Sequence, residues 1–241
     1  MRWLIALLAV CLAKLATAAP CTDQIFDGAS YTICEVTTAD DLRLFHSGPD
    51  GVLGSFSAVN DLLATQGQTL GFAMNAGMYH PDRAPVGLYI EQGRDVSGII
   101  TSDGPGNFGL LPNGVFCVTD RFAVIESHTF VDNPPACRFA TQSGPMLVID
   151  DQLHPDFAPQ SDSLNIRNGV GVSPDGMRAI FAISNQPVNF HAFARFFRDA
   201  LRLPNALFLD GSISRLYTPN LGRDDIGLPL GPIVGTVVPK G

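Results

Sequence analysis

Residues 206–212, Ala206-Leu207-Phe208-Leu209-Asp210-Gly211-Ser212, decide how the chain is read. Four apolar residues in a row are too few for a helix, and turn formers bound them. Such a run is a strand buried on both faces. It ends in a carboxylate, and the glycine that follows lets backbone approach a ligand closely. Leu70-Gly71-Phe72-Ala73-Met74 has the same design and ends in Asn75-Ala76-Gly77. Polar groups at strand ends are where rigid scaffolds place site residues. Asn-x-Gly and Asp-Gly also open turns, and taken alone each is more often a turn.

Outward from these two runs, glycine and proline are spread evenly along the chain, which suits many short strands joined by turns. Further strands are predicted at Tyr31–Val36, Leu42–His46, Val86–Glu91, Gly114–Val118, Phe122–Glu126, Met146–Ile149, Asn168–Val172, Ala179–Ile183 and Pro232–Val238. Two helices interrupt them. Ser55–Thr65 carries Phe56, Val59, Leu62 and Leu63 on one face, with Gly67 as a stop. Asn189–Leu203 opens on a good N-cap, presents Phe193, Phe196, Phe197, Ala200 and Leu201, and ends at Pro204. The fold class expected is α+β: a strand-rich mixed sheet with a few helices in a single domain.

The first residues predict export. Met1-Arg2 is positive, Trp3–Ala13 is almost wholly apolar, and Ala16-Thr17-Ala18 is a small-x-small cleavage site. The apolar run is far short of the ~20 residues a membrane span needs. Residues 1–18 are therefore read as a signal peptide and 19–241 as one domain, with no integral membrane segment and a periplasmic or secreted location. Removing Arg2 and Lys14 from the 15 basic residues leaves 13 against 23 acidic ones, a net charge of −10. That excludes nucleic acid and anionic membrane surfaces as partners, since both need a basic face. Cys21, Cys34, Cys117 and Cys137 remain, an even number in an oxidising compartment. Of the three pairings possible, Cys21–Cys34 and Cys117–Cys137 are favoured because each brackets a short loop; free buried cysteines are the rival reading.

Several chemistries have no sequence to carry them. Gly211-Ser212-Ile213-Ser214-Arg215 lacks the last glycine of a nucleophile elbow. No P-loop, dinucleotide fingerprint or calcium loop occurs. His46, His128 and His154 have no partner at metal-ligand spacing and read as structural or exposed, so neither a metal nor a cofactor is expected.

Four motifs follow one another along the chain: Met74-Asn75-Ala76-Gly77-Met78-Tyr79, Ser143-Gly144-Pro145-Met146-Leu147, Arg167-Asn168-Gly169-Val170-Gly171 and Leu209-Asp210-Gly211-Ser212. Their order and spacing resemble the phosphodiester glycosidase domain family, over about residues 40–238. Pro85-Val86-Gly87-Leu88-Tyr89 and the stretch 185–198 look like its bacterial branch. The resemblance implies hydrolysis of a sugar-1-phosphodiester, with a phosphorylated carbohydrate as substrate. Such a reaction needs a cation at the phosphate, a carboxylate for the water or the oxocarbenium-like centre, and contacts to sugar hydroxyls.

On that basis Arg167 is the phosphate ligand, through a bidentate contact, and Asp210 is general base or electrostatic stabiliser. Asn75, Gly77, Ser143, Gly144, Asn168, Ser212 and Ser214 are expected around the substrate. His191 opens the long helix, where backbone amides favour anions, and Arg83 and His80 lie in the loop after Asn75, a lid or an exposed turn. Two departures bear on the pocket: Ala76-Gly77-Met78-Tyr79 stands where the uncovering enzymes of the family have bulkier aromatic ends after Asn-Gly-Gly, and Ser212 replaces a glycine. The alternative is a non-catalytic carbohydrate-binding or envelope-assembly protein on the same scaffold. The sequence leaves the sugar and the oligomeric state open.

Overall fold

The computed structural model describes residues 21–210 and 213–241. The expected signal peptide and Ser212 lie outside the described residues. Three antiparallel sheets surround one apolar core. The largest has seven strands in the order β1 (Cys21–Phe26), β2 (Ala29–Thr37), β15 (Arg178–Ser184), β14 (Asn168–Val172), β16 (Asn205–Asp210), β12 (Met146–Ile149) and β13 (Gln152–Leu153). A second runs β10 (Phe122–Glu126), β9 (Gly114–Val118), β11 (Phe139–Ser143), β7 (Tyr89–Glu91), β8 (Arg94–Ser97). The third runs β18 (Arg223–Asp224), β17 (Leu216–Thr218), β6 (Gln68–Asn75), β19 (Ile233–Pro239), β3 (Leu42–Phe45). A small hairpin, β4 (Ser47–Gly48) with β5 (Gly51–Val52), stands apart.

Each large sheet turns one face to the shared core and covers the other with a helix, which is why its strands read as continuous apolar runs. Phe72 and Met74, Phe116 and Phe139, and Val170, Phe181, Leu207 and Leu209 meet in the middle. Outside the third sheet, helix α1 (Phe56–Ala64) buries Phe56, Val59 and Leu63 on Leu70, Ala73 and Val237. Outside the second, Phe130 of α2 (Ser127–Asp132) packs on Val115 and Ala140. Outside the first, α3 (Phe190–Arg195) and a π-helical turn at Phe196–Ala200 press Phe193, Phe196 and Phe197 onto Tyr31, Ile180 and Phe208.

That helix was expected to run unbroken to Leu203. Its C-terminal part widens into the π turn, where the Phe196 ring stacks on Tyr31 at 3.9 Å and Phe197 reaches Gly171. β14 accepts this layer because a Cβ at Gly171 would lie 2.6 Å from Leu203 and 2.8 Å from Phe197, and one at Gly169 would lie 2.7 Å from the Leu207 carbonyl.

Both favoured disulfides are formed. Cys21–Cys34 joins directly opposed residues of β1 and β2, and Cys117–Cys137 ties β9 to the segment entering β11. Among the described residues no helix is long and apolar enough to cross a membrane.

Candidate functional site

The polar residues at the four strand ends come together. Asn75 ends β6, Asn168 opens β14 opposite Asp210 at the end of β16, and Ser143 ends β11. Asn75 Nδ2 donates to Asn168 Oδ1 at 3.2 Å, and Asn168 Nδ2 donates to the Asn75 carbonyl at 2.8 Å. Asn168 Oδ1 also accepts from the Asp210 backbone N–H at 3.0 Å. Asn75 Oδ1 accepts from the Arg215 N–H at 2.9 Å. Ser143 Oγ donates to the Leu209 carbonyl at 2.8 Å, and Ser214 Oγ lies 2.6 Å from the Asp210 carbonyl.

These bonds lock the ends of strands from all three large sheets together around Asp210. Asn75, Ser143 and Asn168 are fully buried. Expected beside the substrate, they direct their polar atoms to one another and to backbone, the arrangement of residues that position a site.

Side chains on β16 alternate: Ala206 and Phe208 face the helix layer, while Leu207 and Leu209 face the central core. The alternation breaks at Leu209: Asp210, 7 % exposed, stands opposite Asn168, whereas Phe208 stands opposite Gly169. Arg167 stands on the Phe208 side. Its guanidinium carbon lies 3.6 Å from the Phe190 ring centroid and 5.5 Å from that of Phe208. Phe190 stacks on Phe157 at 4.9 Å, and Phe157 on His154 at 4.6 Å, so three rings back the cation.

Arg167 Nε donates to the Val188 carbonyl and NH2 to the Ser163 carbonyl, both at 2.9 Å, while NH1 is buried with no partner. Burial pulls its pKa down to about 10, which still leaves a cation at neutral pH. With Nε and NH2 engaged, a bidentate grip through two free nitrogens is not available; NH1 alone is. An unpartnered guanidinium nitrogen in a dry site is costly unless a ligand meets it.

The remaining expected residues spread out. Gly77 packs on Thr141, whose hydroxyl donates to the Ala76 carbonyl at 2.8 Å. Gly144 makes room for Asn113. His191 is half-buried on α3; desolvation, then Arg195 and Arg198, lower its pKa. Arg83 lies in the loop closed by the Tyr79–Pro85 bridge, and its carbonyl meets His46 Nε2 at 2.9 Å.

Sequence reasoning assigned no role to Tyr79 or Arg215. Burial and the charge of Asp210 push the Tyr79 phenol up, and the cations of Arg215 and Arg83 oppose them. These four groups therefore share one electrostatic neighbourhood. The signal for Tyr79 and Arg215 was proximity: each stands within five residues of a motif residue, Asn75 or Asp210.

The phosphodiester glycosidase family model matches residues 68–224, and the chain belongs to that family. A relative from Escherichia coli (strain K12), the uncharacterized protein YigE, is 38% identical over 165 residues, 68% of this chain and 64% of the relative. The matched region thus spans a little under two thirds of that relative's length. The fold is similar to the catalytic domain of zebrafish N-acetylglucosamine-1-phosphodiester alpha-N-acetylglucosaminidase auto-inhibited by its pro-peptide, with TM-score 0.62 at 15% identity, covering 90% of this chain and 81% of that one. It is also similar to a hypothetical protein from Synechocystis, with TM-score 0.57 at 15% identity, covering 90% and 61%.

Proposed function

We propose that this protein is an exported hydrolase that cleaves a sugar-1-phosphodiester, releasing a free sugar and a phosphate monoester, on an envelope or extracellular glycan. The observation that carries the reading is the buried, unpartnered NH1 of Arg167, next in sequence to Asn168, whose side chain accepts from the Asp210 N–H, in a chain of the phosphodiester glycosidase family.

In this reading Arg167 NH1 meets a phosphate oxygen, a charge-assisted contact that strengthens as the leaving group gains charge. Asp210 takes a proton from the attacking water or stabilises the developing oxocarbenium centre. The bond between the anomeric carbon and oxygen breaks, and the phosphate monoester leaves without strong acid assistance, being a weak base. Asn75, Asn168, Ser143 and Ser214 hold the strand ends at their spacing. Family membership and two disulfides support a hydrolase working in an oxidising compartment.

The test is turnover. Purified protein should release phosphate monoester from a sugar-1-phosphodiester, and Asp210→Ala should lower the rate on the order of a thousandfold with an unchanged melting temperature. Binding without turnover across a broad panel would favour the carbohydrate-binding alternative.

A further inference from the structure

Three glycines beside the strand-end network make room for three side chains. A Cβ at Gly231 would lie 2.6 Å from Tyr79 Cβ and Cγ. One at Gly54, where φ is +69°, would collide with Arg83 NH1. One at Gly227 would lie 3.2 Å from Arg215 Cδ. The three glycines belong to one surface, because the Leu230 N–H donates to the Gly54 carbonyl at 2.8 Å. The same loop receives the polar ends: Tyr79 Oη donates to the Pro229 carbonyl at 2.8 Å, and Arg215 NH2 to that of Leu228. The Arg215 main chain is held by Asn75, inside the network that holds Asp210.

Charge on this surface is unbalanced. Among the described residues neither Arg83 nor Arg215 forms an ion pair, and Arg215 Nε is buried without a partner. The acids that Arg215 feels are Asp225, which is bound by Arg223 at 2.8 Å, and Asp224, which is exposed to water. In the hydrolase reading Arg167 takes the scissile phosphodiester, which leaves Arg83 and Arg215 beside Tyr79 with no ion-pair partner among the described residues.

Resting on the hydrolase reading above, we propose that Arg83 and Arg215, gathered around Tyr79 by the 227–231 loop, form a second anion subsite. It takes an oxyanion, carboxylate or phosphate, carried by the substrate in addition to its scissile phosphodiester. The substrate class is a polyanionic sugar phosphodiester.

Matched sugar-1-phosphodiesters test this, one bearing a neutral methyl group across the phosphate, one a carboxylate and one a second phosphate. Wild-type kcat/KM should favour an anionic member by about tenfold or more, the size of one charge-assisted contact. The carboxylate and phosphate arms tell which oxyanion is taken. Arg83→Gln and Arg215→Gln should each erase most of that preference and Arg83→Lys keep part of it, with melting curves excluding unfolded variants.

Equal kcat/KM for neutral and anionic members, or variants that lower both equally, would overturn the subsite. Absence of all turnover would instead defeat the hydrolase reading. The subsite would then be judged by calorimetry with inorganic phosphate: weaker binding by both Gln variants supports it, and affinity equal to wild type overturns it.

Discussion

Asn168 Oδ1 accepts from two buried donors, Asn75 Nδ2 and the Asp210 N–H, and lies 3.3 Å from Ser214 Oγ. Asn168→Ala strands both, at a cost of about 3 kcal/mol by the usual penalty for orphaned buried groups. Urea unfolding measures it; a loss within a few tenths would show that the clamp is not structural. Arg167→Lys keeps a charge but loses the planar stack on Phe190 and the forked bonds to Val188 and Ser163. It should lower kcat/KM by about tenfold or more, and undiminished turnover would remove Arg167 from the mechanism.

His154 titrates in an informative range. Desolvation lowers its pKa below 6.5, outweighing the Nε2 contact with the Leu111 carbonyl at 3.0 Å and the charge of Asp156, both of which raise it. The folded state therefore prefers the neutral ring. The stability it contributes is present above pH 6.5 and is lost as pH falls through the lower folded value. Unfolding free energy should drop as pH falls below 6.5, and His154→Gln should flatten that drop; an identical pH profile in the variant would rule the residue out.

At the scale of elements, β14 depends on its glycines. Gly171→Ala would drive a methyl group into Leu203 and Phe197 and should cost about 1–3 kcal/mol, as overpacking does. A variant as stable as wild type would mean that the π turn yields. Asn189 caps α3 through Ala192 N–H at 2.8 Å, and its Nδ2 holds the Pro159 and Ser161 carbonyls. It anchors the loop whose Ser163 carbonyl receives Arg167.

Such elements show what a sequence carries. β6 and β16 were legible because short apolar runs bounded by turn formers have one good solution, and β14 because valines alternate with glycines after Asn168. β11 was not, since Thr141, Gln142 and Ser143 look like a polar loop. They are buried because each finds an acceptor or donor far along the chain, at Ala76, Leu88 and Leu209. β7 begins at Tyr89, later than predicted, because the Leu88 N–H bonds the Gln142 side chain at 3.0 Å. Asp210 and Arg167 could be singled out from motif and chemistry. Arg215 and Tyr79 acquire meaning only from a loop more than ten residues beyond Arg215 folding back over both.

At the scale of the molecule, three sheets share one core and hold the strand ends of different sheets at one place. The disulfides reinforce edges of that arrangement, closing separations of 13 and 20 residues. Reduction should cost about 3 kcal/mol for each bond by loop-closure entropy, and a midpoint unmoved by reductant would contradict it. Separate clusters outside each sheet explain why one compact unit needs several helices that never touch the centre.

The central claim is that Asp210 and Arg167 act on a sugar-1-phosphodiester bound at those strand ends. Phosphorus NMR of the purified protein with such a diester tests it most directly. The account predicts that the diester resonance gives way to a monoester with wild type and persists with Asp210→Ala. A diester left intact by the folded wild-type protein, or cleaved as fast by Asp210→Ala, would contradict it.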